Sequence, residues 1–231
     1  MKIGGIQKTS VLDYPDKLSA IIWTTGCNFQ CPFCYNKQLV FNEVETIDED
    51  EILKFLEKRK GELEALSISG GEPLVNDDIF YFVDKVKKLG YLIKIDTNGA
   101  FPTKLKNLIY RNLVDYVSMD IKAPKHKYHQ LCGVDVDITK IEESIEIIKN
   151  DALDYEFKTT IVPGMLKKDD IIEIAKWLKG SKQYYLQQLK SDSPMISSEL
   201  DGTKPYSKEY LIEILNEIKP FYKNCSLRGV R

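Results

Sequence analysis

Apolar residues along this chain fall into two alternating patterns. Short runs at 18–25, 65–69, 92–96, 114–120, 155–162 and 183–189 are rich in Ile, Val, Leu and Tyr and are bounded by Gly, Asn, Asp or Pro, which predicts six strands. Between them the period lengthens to that of a helix. Ile79, Phe80, Val83, Val86 and Leu89 share one face, with Asp77 or Asp78 as the cap and Gly90 as the stop. Asp48 with Glu51 precedes Ile52, Phe55 and Leu56, and Thr139 with Glu142 reads as a capping box ahead of Ile141, Ile145 and Ile148. Asp169 or Asp170 opens a helix through Ile171, Ile174, Ala175 and Leu178 that stops at Gly180. A last helix starts near Ser207 and carries Leu211, Ile214, Leu215 and Ile218 up to Pro220.

Six strands, each followed by a helix, imply parallel pairing with right-handed crossovers. An eight-unit barrel needs ~250 residues. The expected α/β fold is therefore a partial (β/α)6 TIM-like barrel of parallel strands, open on one side and preceded by a short N-terminal extended or hairpin segment. An open doubly wound sheet is the alternative. No linker or low-complexity tract divides the chain, so one domain is expected over 1–231, with a core at about 18–190, an extension at 1–17 and a C-terminal helix and tail at 203–231. In either architecture the chemistry gathers at the C-terminal ends of the strands.

Composition narrows the partners. Of 231 residues, 29% are charged, yet the net charge is only -2, so no broad basic field offers itself to nucleic acid or an anionic membrane. No apolar run approaches the ~20 residues that span a bilayer, and the N-terminus lacks a secretory apolar segment. The five cysteines are an odd number, three of them within eight residues, which disfavours a disulfide framework and favours reduced thiols in the cytoplasm.

Those three, Cys27, Cys31 and Cys34, follow the first predicted strand on one loop. Chance clustering of structural cysteines is improbable at this spacing. Cys31-Pro32-Phe33-Cys34 alone is the pattern of a dithiol redox motif, but that reading leaves Cys27 idle. A structural zinc or a fully ligated cluster wants four ligands, and no His or further Cys lies nearby. Three cysteines on a four-iron cluster leave one iron open to a substrate. The spacing Cys-x3-Cys-x2-Cys at the end of the first strand resembles the signature of radical S-adenosylmethionine (SAM) enzymes.

Four further strand ends agree with that resemblance. Gly70-Gly71-Glu72-Pro73 reads by itself as a turn, and resembles the family motif that approaches the amino group of the SAM methionine. Asp96-Thr97-Asn98-Gly99 is an ordinary turn signal that, in the family, places a polar group against the ribose or the methionine carboxylate. Asp120 and Lys122 alternate with apolar neighbours at the end of the fourth predicted strand, and Lys158 and Thr160 do so on the fifth. A solvated strand end is the plain reading of Asp120 and Lys122. The resemblance implies that Lys122 pairs with the cofactor carboxylate, that Lys158 contacts the cofactor, and that Asp96 with Asp120 holds a monovalent cation. Phe33 and Tyr35 flank Cys34 and are read either as a boundary for adenine and cluster or as packing.

The resemblance covers roughly residues 1–190. The opening Ile3-Gly4-Gly5-Ile6-Gln7-Lys8-Thr9-Ser10, Asp13-Tyr14-Pro15, the run Gly26-Cys27-Asn28-Phe29 and the end Leu227-Arg228-Gly229-Val230-Arg231 are similar to glycyl-radical enzyme activases, particularly those of anaerobic ribonucleotide reductase. That implies one [4Fe-4S] cluster held by Cys27, Cys31 and Cys34, SAM chelated at the open iron, and reductive cleavage to a 5′-deoxyadenosyl radical. That radical takes a hydrogen atom from a glycine of a partner glycyl-radical enzyme. A reduced flavodoxin- or ferredoxin-type donor and an anaerobic setting are implied with it, and no protein general base is expected. The alternatives are a radical SAM enzyme acting on a small molecule, such as a deazapurine synthase, and a dithiol or iron–sulfur redox module without SAM. His126 and His129 read as solvated helix residues, Cys132 and Cys225 as core or idle thiols, and Arg228 and Arg231 as a partner contact or a frayed tail.

Overall fold

The computed structural model describes residues 1–230; Arg231 lies outside them. The strands are β1 (Ile3–Ser10), β2 (Ser19–Thr24), β3 (Ala65–Gly70), β4 (Leu92–Thr97), β5 (Tyr116–Asp120), β6 (Asp154–Ile161), β7 (Gln183–Gln188) and β8 (Asn224–Arg228). The helices are α1 (Lys37–Val40), α2 (Glu49–Lys58), α3 (Ile79–Lys88), α4 (Pro102–Tyr110), α5 (Tyr128–Cys132), α6 (Ile138–Asp151), α7 (Lys168–Trp177) and α8 (Lys208–Ile218). All eight strands form one sheet in sequence order, with β1 antiparallel to β2 and every later pair parallel. A doubly wound sheet would reverse its strand order at a switch point. This order never reverses, and β1 and β8 do not pair, so the fold is the open partial barrel with a leading hairpin.

Strand β1 pairs with β2 as the expected N-terminal hairpin. Beyond the expectation, α1 and α4 occupy stretches for which no helix is assigned from sequence, and β8 is a seventh parallel-wall strand where only a tail is expected. The capping box at Thr139 and Glu142 is not formed. Asp137 caps α6 instead, accepting from the Thr139 N–H at 3.1 Å, and Glu142 pairs with Lys125. Asp48 and Ser207 cap α2 and α8 as the pattern predicts.

Period-two alternation divides the wall into two chemistries. Leu66 and Ile68 on β3, Ile93 and Ile95 on β4, Val117 and Met119 on β5, and Tyr155 and Phe157 on β6 face the helices and join one apolar core. The residues between them are polar: Ser67, Lys94, Asp96, Ser118, Asp120, Glu156 and Lys158. The 11–17 loop closes the barrel at the strands' N-terminal ends. Tyr14 packs 5.8 Å from the Tyr116 ring beside Ala65, and Ser67 Oγ donates to the Asp13 carbonyl at 2.9 Å.

Arg228 is neither frayed nor free for a partner. Its guanidinium donates to both oxygens of Glu156, at 2.6 and 2.8 Å, and lies 3.4 Å from the Tyr185 ring centroid. Glu156 is 1% exposed and also accepts from Tyr116 and Ser118, at 3.0 and 2.9 Å. Burial alone would raise the Glu156 carboxyl; Arg228 outweighs it and holds the group below its ordinary range. Removing one partner of a buried pair strands the other charge, typically at about 3–5 kcal/mol. Because Arg228 keeps about a third of its exposure, Arg228→Ala is expected to lower unfolding free energy by roughly 2 kcal/mol in urea titrations at neutral pH. The loss should shrink as pH falls below the ordinary glutamate pKa of about 4.3, where the pair's contribution disappears in the wild type too.

Candidate active site

The C-terminal rim of the wall surrounds an open cavity. Of the residues singled out from sequence, Cys27, Cys31, Phe33, Cys34, Tyr35, Gly70, Gly71, Asp96, Thr97, Asn98, Asp120, Lys122, Lys158 and Thr160 all line it. Glu72 does not.

Neighbouring elements fix the cysteine loop on several sides. The Gly26 N–H donates to the Leu39 carbonyl of α1 at 2.8 Å, and the Gln30 N–H to the Cys132 carbonyl at the end of α5, also at 2.8 Å. From the loop after β7, the N–H groups of Ile196 and Ser197 donate to the carbonyls of Cys34 and Pro32, at 3.0 and 2.9 Å. The three thiols form no disulfide. Burial pushes Cys27 up to about 12 and raises Cys34, so a strong local positive charge is needed to draw out their thiolates. Among the described residues no three His, Cys, Asp or Glu side chains converge on a single metal ion. Three soft sulfur donors spread around a cavity fit a multi-iron cluster better than one zinc. Cys132 is fully buried and does not line the cavity, so it offers no fourth thiol there.

Glycine at the second motif serves the chain's own packing. A Cβ on Gly71 would sit 2.0 Å from the Gly26 carbonyl oxygen, and one on Gly70 (φ +117) would sit 2.4 Å from the Thr24 N and O atoms. The ends of β2 and β3 touch there through bare backbone. Glu72 is a brace between strand ends. Its carboxylate is fully buried and accepts from Thr97 Oγ1 at 2.8 Å, the Asn98 N–H at 2.6 Å and the Leu74 N–H at 3.1 Å. Burial pushes it up to about 7 against those donors. Asn98, held in this way, donates its amide to Asn28 at 2.8 Å beside Cys27.

The opposite wall carries three ammonium groups and two carboxylates. Asp96 accepts from Lys94 at 2.6 Å, with Lys158 at 3.5 Å; Asp120 has Lys122 at 3.5 Å and Lys158 at 3.7 Å. Burial would raise the Asp96 carboxyl, but Lys158 and Lys94 outweigh it and hold it well below the usual carboxylate range. Burial likewise works against Lys122 and Lys158, and the facing acids raise both. These side chains are not a solvated strand end. The monovalent cation expected between Asp96 and Asp120 meets the Lys158 ammonium in that position, and three positive charges against two negative ones leave nothing to attract another cation. The surplus positive charge suits a carboxylate. Lys94 belongs to no motif, although it lies two residues before Asp96 on the same strand face. Gln187, Leu189 and Lys190 at the end of β7 are likewise outside the motifs, yet they line the cavity and obey the same strand-end rule.

Residues 21–178 match the radical SAM superfamily. The chain belongs to that superfamily. Individual relatives grade from near to distant. The chain is 35% identical to a Methanocaldococcus jannaschii protein provisionally named a glycyl-radical enzyme activating enzyme, over 99% of this chain and 96% of the relative. It is 27% identical to the 7-carboxy-7-deazaguanine synthase of Thermoplasma acidophilum, over 60% of this chain and 64% of that one. Among solved structures, Streptococcus suis SuiB bound to S-adenosylmethionine superposes with a TM-score of 0.68 at 15% identity, over 90% of this chain and 49% of SuiB. SuiB bound to its precursor peptide SuiA gives 0.66 at 14%, over 89% and 47%. This chain thus spans about half the length of SuiB, and the likeness is one of fold. Membership in the superfamily means a radical SAM enzyme with a [4Fe-4S] cluster and SAM, and it displaces the dithiol reading that left Cys27 idle.

Glu72→Ala removes the acceptor shared by Thr97, Asn98 and Leu74. At about 1–3 kcal/mol per stranded buried donor, the variant is expected to lose roughly 3 kcal/mol of stability in denaturant titrations. Its SAM affinity, followed by calorimetry on reconstituted protein, should fall with it, because Asn98 loses its anchor.

Proposed function

We propose that this radical SAM enzyme is an activase that takes a hydrogen atom from a glycine of a partner glycyl-radical enzyme, of the anaerobic ribonucleotide reductase type. The observation that carries this reading is the 35% identity, over nearly the whole of both chains, to the relative provisionally named for that activity. The deazaguanine synthase match is weaker and covers only 60% of this chain. Cys27, Cys31 and Cys34 hold the cluster in this reading, and Lys122, at the rim beside Asp120, presents the surplus positive charge to the SAM carboxylate. When bound, cluster and SAM supply one-electron cleavage of the sulfonium and a carbon-centred radical able to abstract hydrogen. The chain's own part is to bind, orient and shield: Thr97, Asn98 and the Gly70–Gly71 backbone border the cavity, and Phe33, 7% exposed, closes it from the cysteine loop.

The open side supports a polypeptide substrate. A second hollow, lined by Gly4, Trp23, Leu39, Val44 and Pro194, shares Tyr35 and Asn36 with the first. Tyr35, 44% exposed, stands where the two meet. Two adjoining open hollows suit an extended segment, whereas a small-molecule enzyme calls for an enclosed pocket. The donor is proposed to be a reduced flavodoxin or ferredoxin and the setting the anaerobic cytoplasm. Among the described residues no helix is long and apolar enough to cross a membrane.

Anaerobically reconstituted protein given dithionite and SAM is expected to release 5′-deoxyadenosine and to raise a glycyl-radical electron paramagnetic resonance (EPR) doublet on a glycyl-radical enzyme encoded in the same genome. Cys27→Ala should abolish both, together with the visible absorbance of the cluster. Release of 5′-deoxyadenosine with no doublet on any such partner, while a deazapurine precursor is turned over, would falsify the activase reading in favour of the small-molecule one.

A further inference from the structure

Lys94 does not line the cavity, yet it is the most deeply buried cation of the inner wall, at 6% exposure. Strand register sets it level with Ser67 on β3 and Tyr116 on β5, one layer of side chains below Asp96, which is level with Ser118. From there its ammonium reaches along the same strand face to Asp96 Oδ1, at 2.6 Å. The ammonium groups nearer the rim stand further off. Lys158 is 3.5 Å from Asp96 and 3.7 Å from Asp120, and Lys122 is 3.5 Å from Asp120. Of these four contacts only the one from Lys94 is a hydrogen bond. Glu156, the third carboxylate of this face, is already met by Arg228, Tyr116 and Ser118, so Asp96 is the acid that Lys94 serves.

We propose that Lys94 is a positioning residue for SAM: by neutralising Asp96 from behind the cavity, it leaves Lys158 and Lys122 free to meet the SAM carboxylate. The inference rests on the reading that this wall receives that carboxylate. A buried carboxylate takes the nearest available donor, because leaving it unpaired is costly. With Lys94 beneath it, Asp96 holds Lys158 only loosely, and Lys158 and Lys122 both line the cavity. Without Lys94, Lys158 is the ammonium left within reach of Asp96 and is drawn onto it. The charge count changes as well. Lys94, Lys158 and Lys122 against Asp96 and Asp120 leave one positive charge in excess, and removing Lys94 leaves none. Inside a protein such a charge is felt across several ångströms and is weakly screened by salt. A side chain that merely filled the barrel would affect every ligand alike. Lys94 acts on one group of the ligand, so its removal is selective for the carboxylate.

The test titrates two ligands by calorimetry into anaerobically reconstituted protein whose cluster is kept oxidised, so that no cleavage occurs. One is SAM; the other is decarboxylated SAM, which keeps the adenosine, the sulfonium and the amine but has no carboxylate. In Lys94→Met, which fills the same space without charge, SAM is expected to bind about tenfold more weakly. The decarboxylated ligand, being the more cationic, should bind no more weakly than it does to wild type. Lys94→Arg should keep the wild-type preference for SAM. Equal weakening of both ligands would overturn the proposal by marking a deformed site, and so would unchanged SAM affinity in a folded Lys94→Met. If Lys94→Met does not fold, Lys94→Gln, whose amide still donates to Asp96, takes its place. A wild type that does not distinguish the two ligands would overturn the proposal without any variant. Preference lost in Lys122→Met but kept in Lys94→Met would overturn the role of Lys94 alone; preference kept in both would remove the carboxylate reading with it. The activase reading is decided separately, by the glycyl-radical signal on the partner.

Discussion

Charge inside a barrel has to be neutralised by the barrel, and that requirement organises much of this molecule. The inward face carries Lys94, Lys122, Lys158 and Arg228 against Asp96, Asp120 and Glu156, on or just beyond β4, β5, β6 and β8. Each ion would be costly alone in that interior. They form two groups, Arg228 with Glu156, and Lys94, Asp96, Lys158, Asp120 and Lys122 joined in a run up to the rim. The first group also explains β8. A C-terminal strand paired on one edge only has little core of its own, and the Arg228–Glu156 pair ties it to the middle of the sheet. The second group leaves one positive charge in excess at the rim, where the proposed reading places the SAM carboxylate.

The thiol side of the cavity follows a different rule. The cysteine loop has almost no regular structure, so its shape comes from α1, from α5, from the loop after β7 and from Asn98, each through a few directed bonds. Glu72 extends the arrangement one shell further by holding Asn98 and Thr97. A soft-metal site needs this kind of support, because ligand sulfurs that must be deprotonated gain nothing from apolar burial until the metal is present.

Much of this was legible in the sequence because it is periodic or clustered. The six predicted wall strands lie within two residues of their observed ends, and the rule that chemistry sits at strand C-termini put thirteen of the foreseen side chains or glycines on the cavity beside Phe33. What escaped lacked a local signal. Strand β8 is five residues with alternating but partly exposed positions, and only its partner Glu156, 72 residues earlier, makes Arg228 structural. Glu72 looked like a ligand because it belongs to a motif; its inward turn depends on donors 25 and 26 residues away. Lys158 between two aspartates is likewise a three-strand fact that no single segment contains.

The open barrel bears on the proposed substrate. SuiB is about twice as long as this protein while sharing its barrel. Here the wall, its helices and the loops that hold the cysteines account for nearly all the described residues. The sheet does not close between β1 and β8, and the cavity at its rim is open. Under the proposed activase reading, a folded partner presenting one extended segment would cover that cavity and exclude water from it. Enclosure of the reacting atoms would then be completed by the second protein.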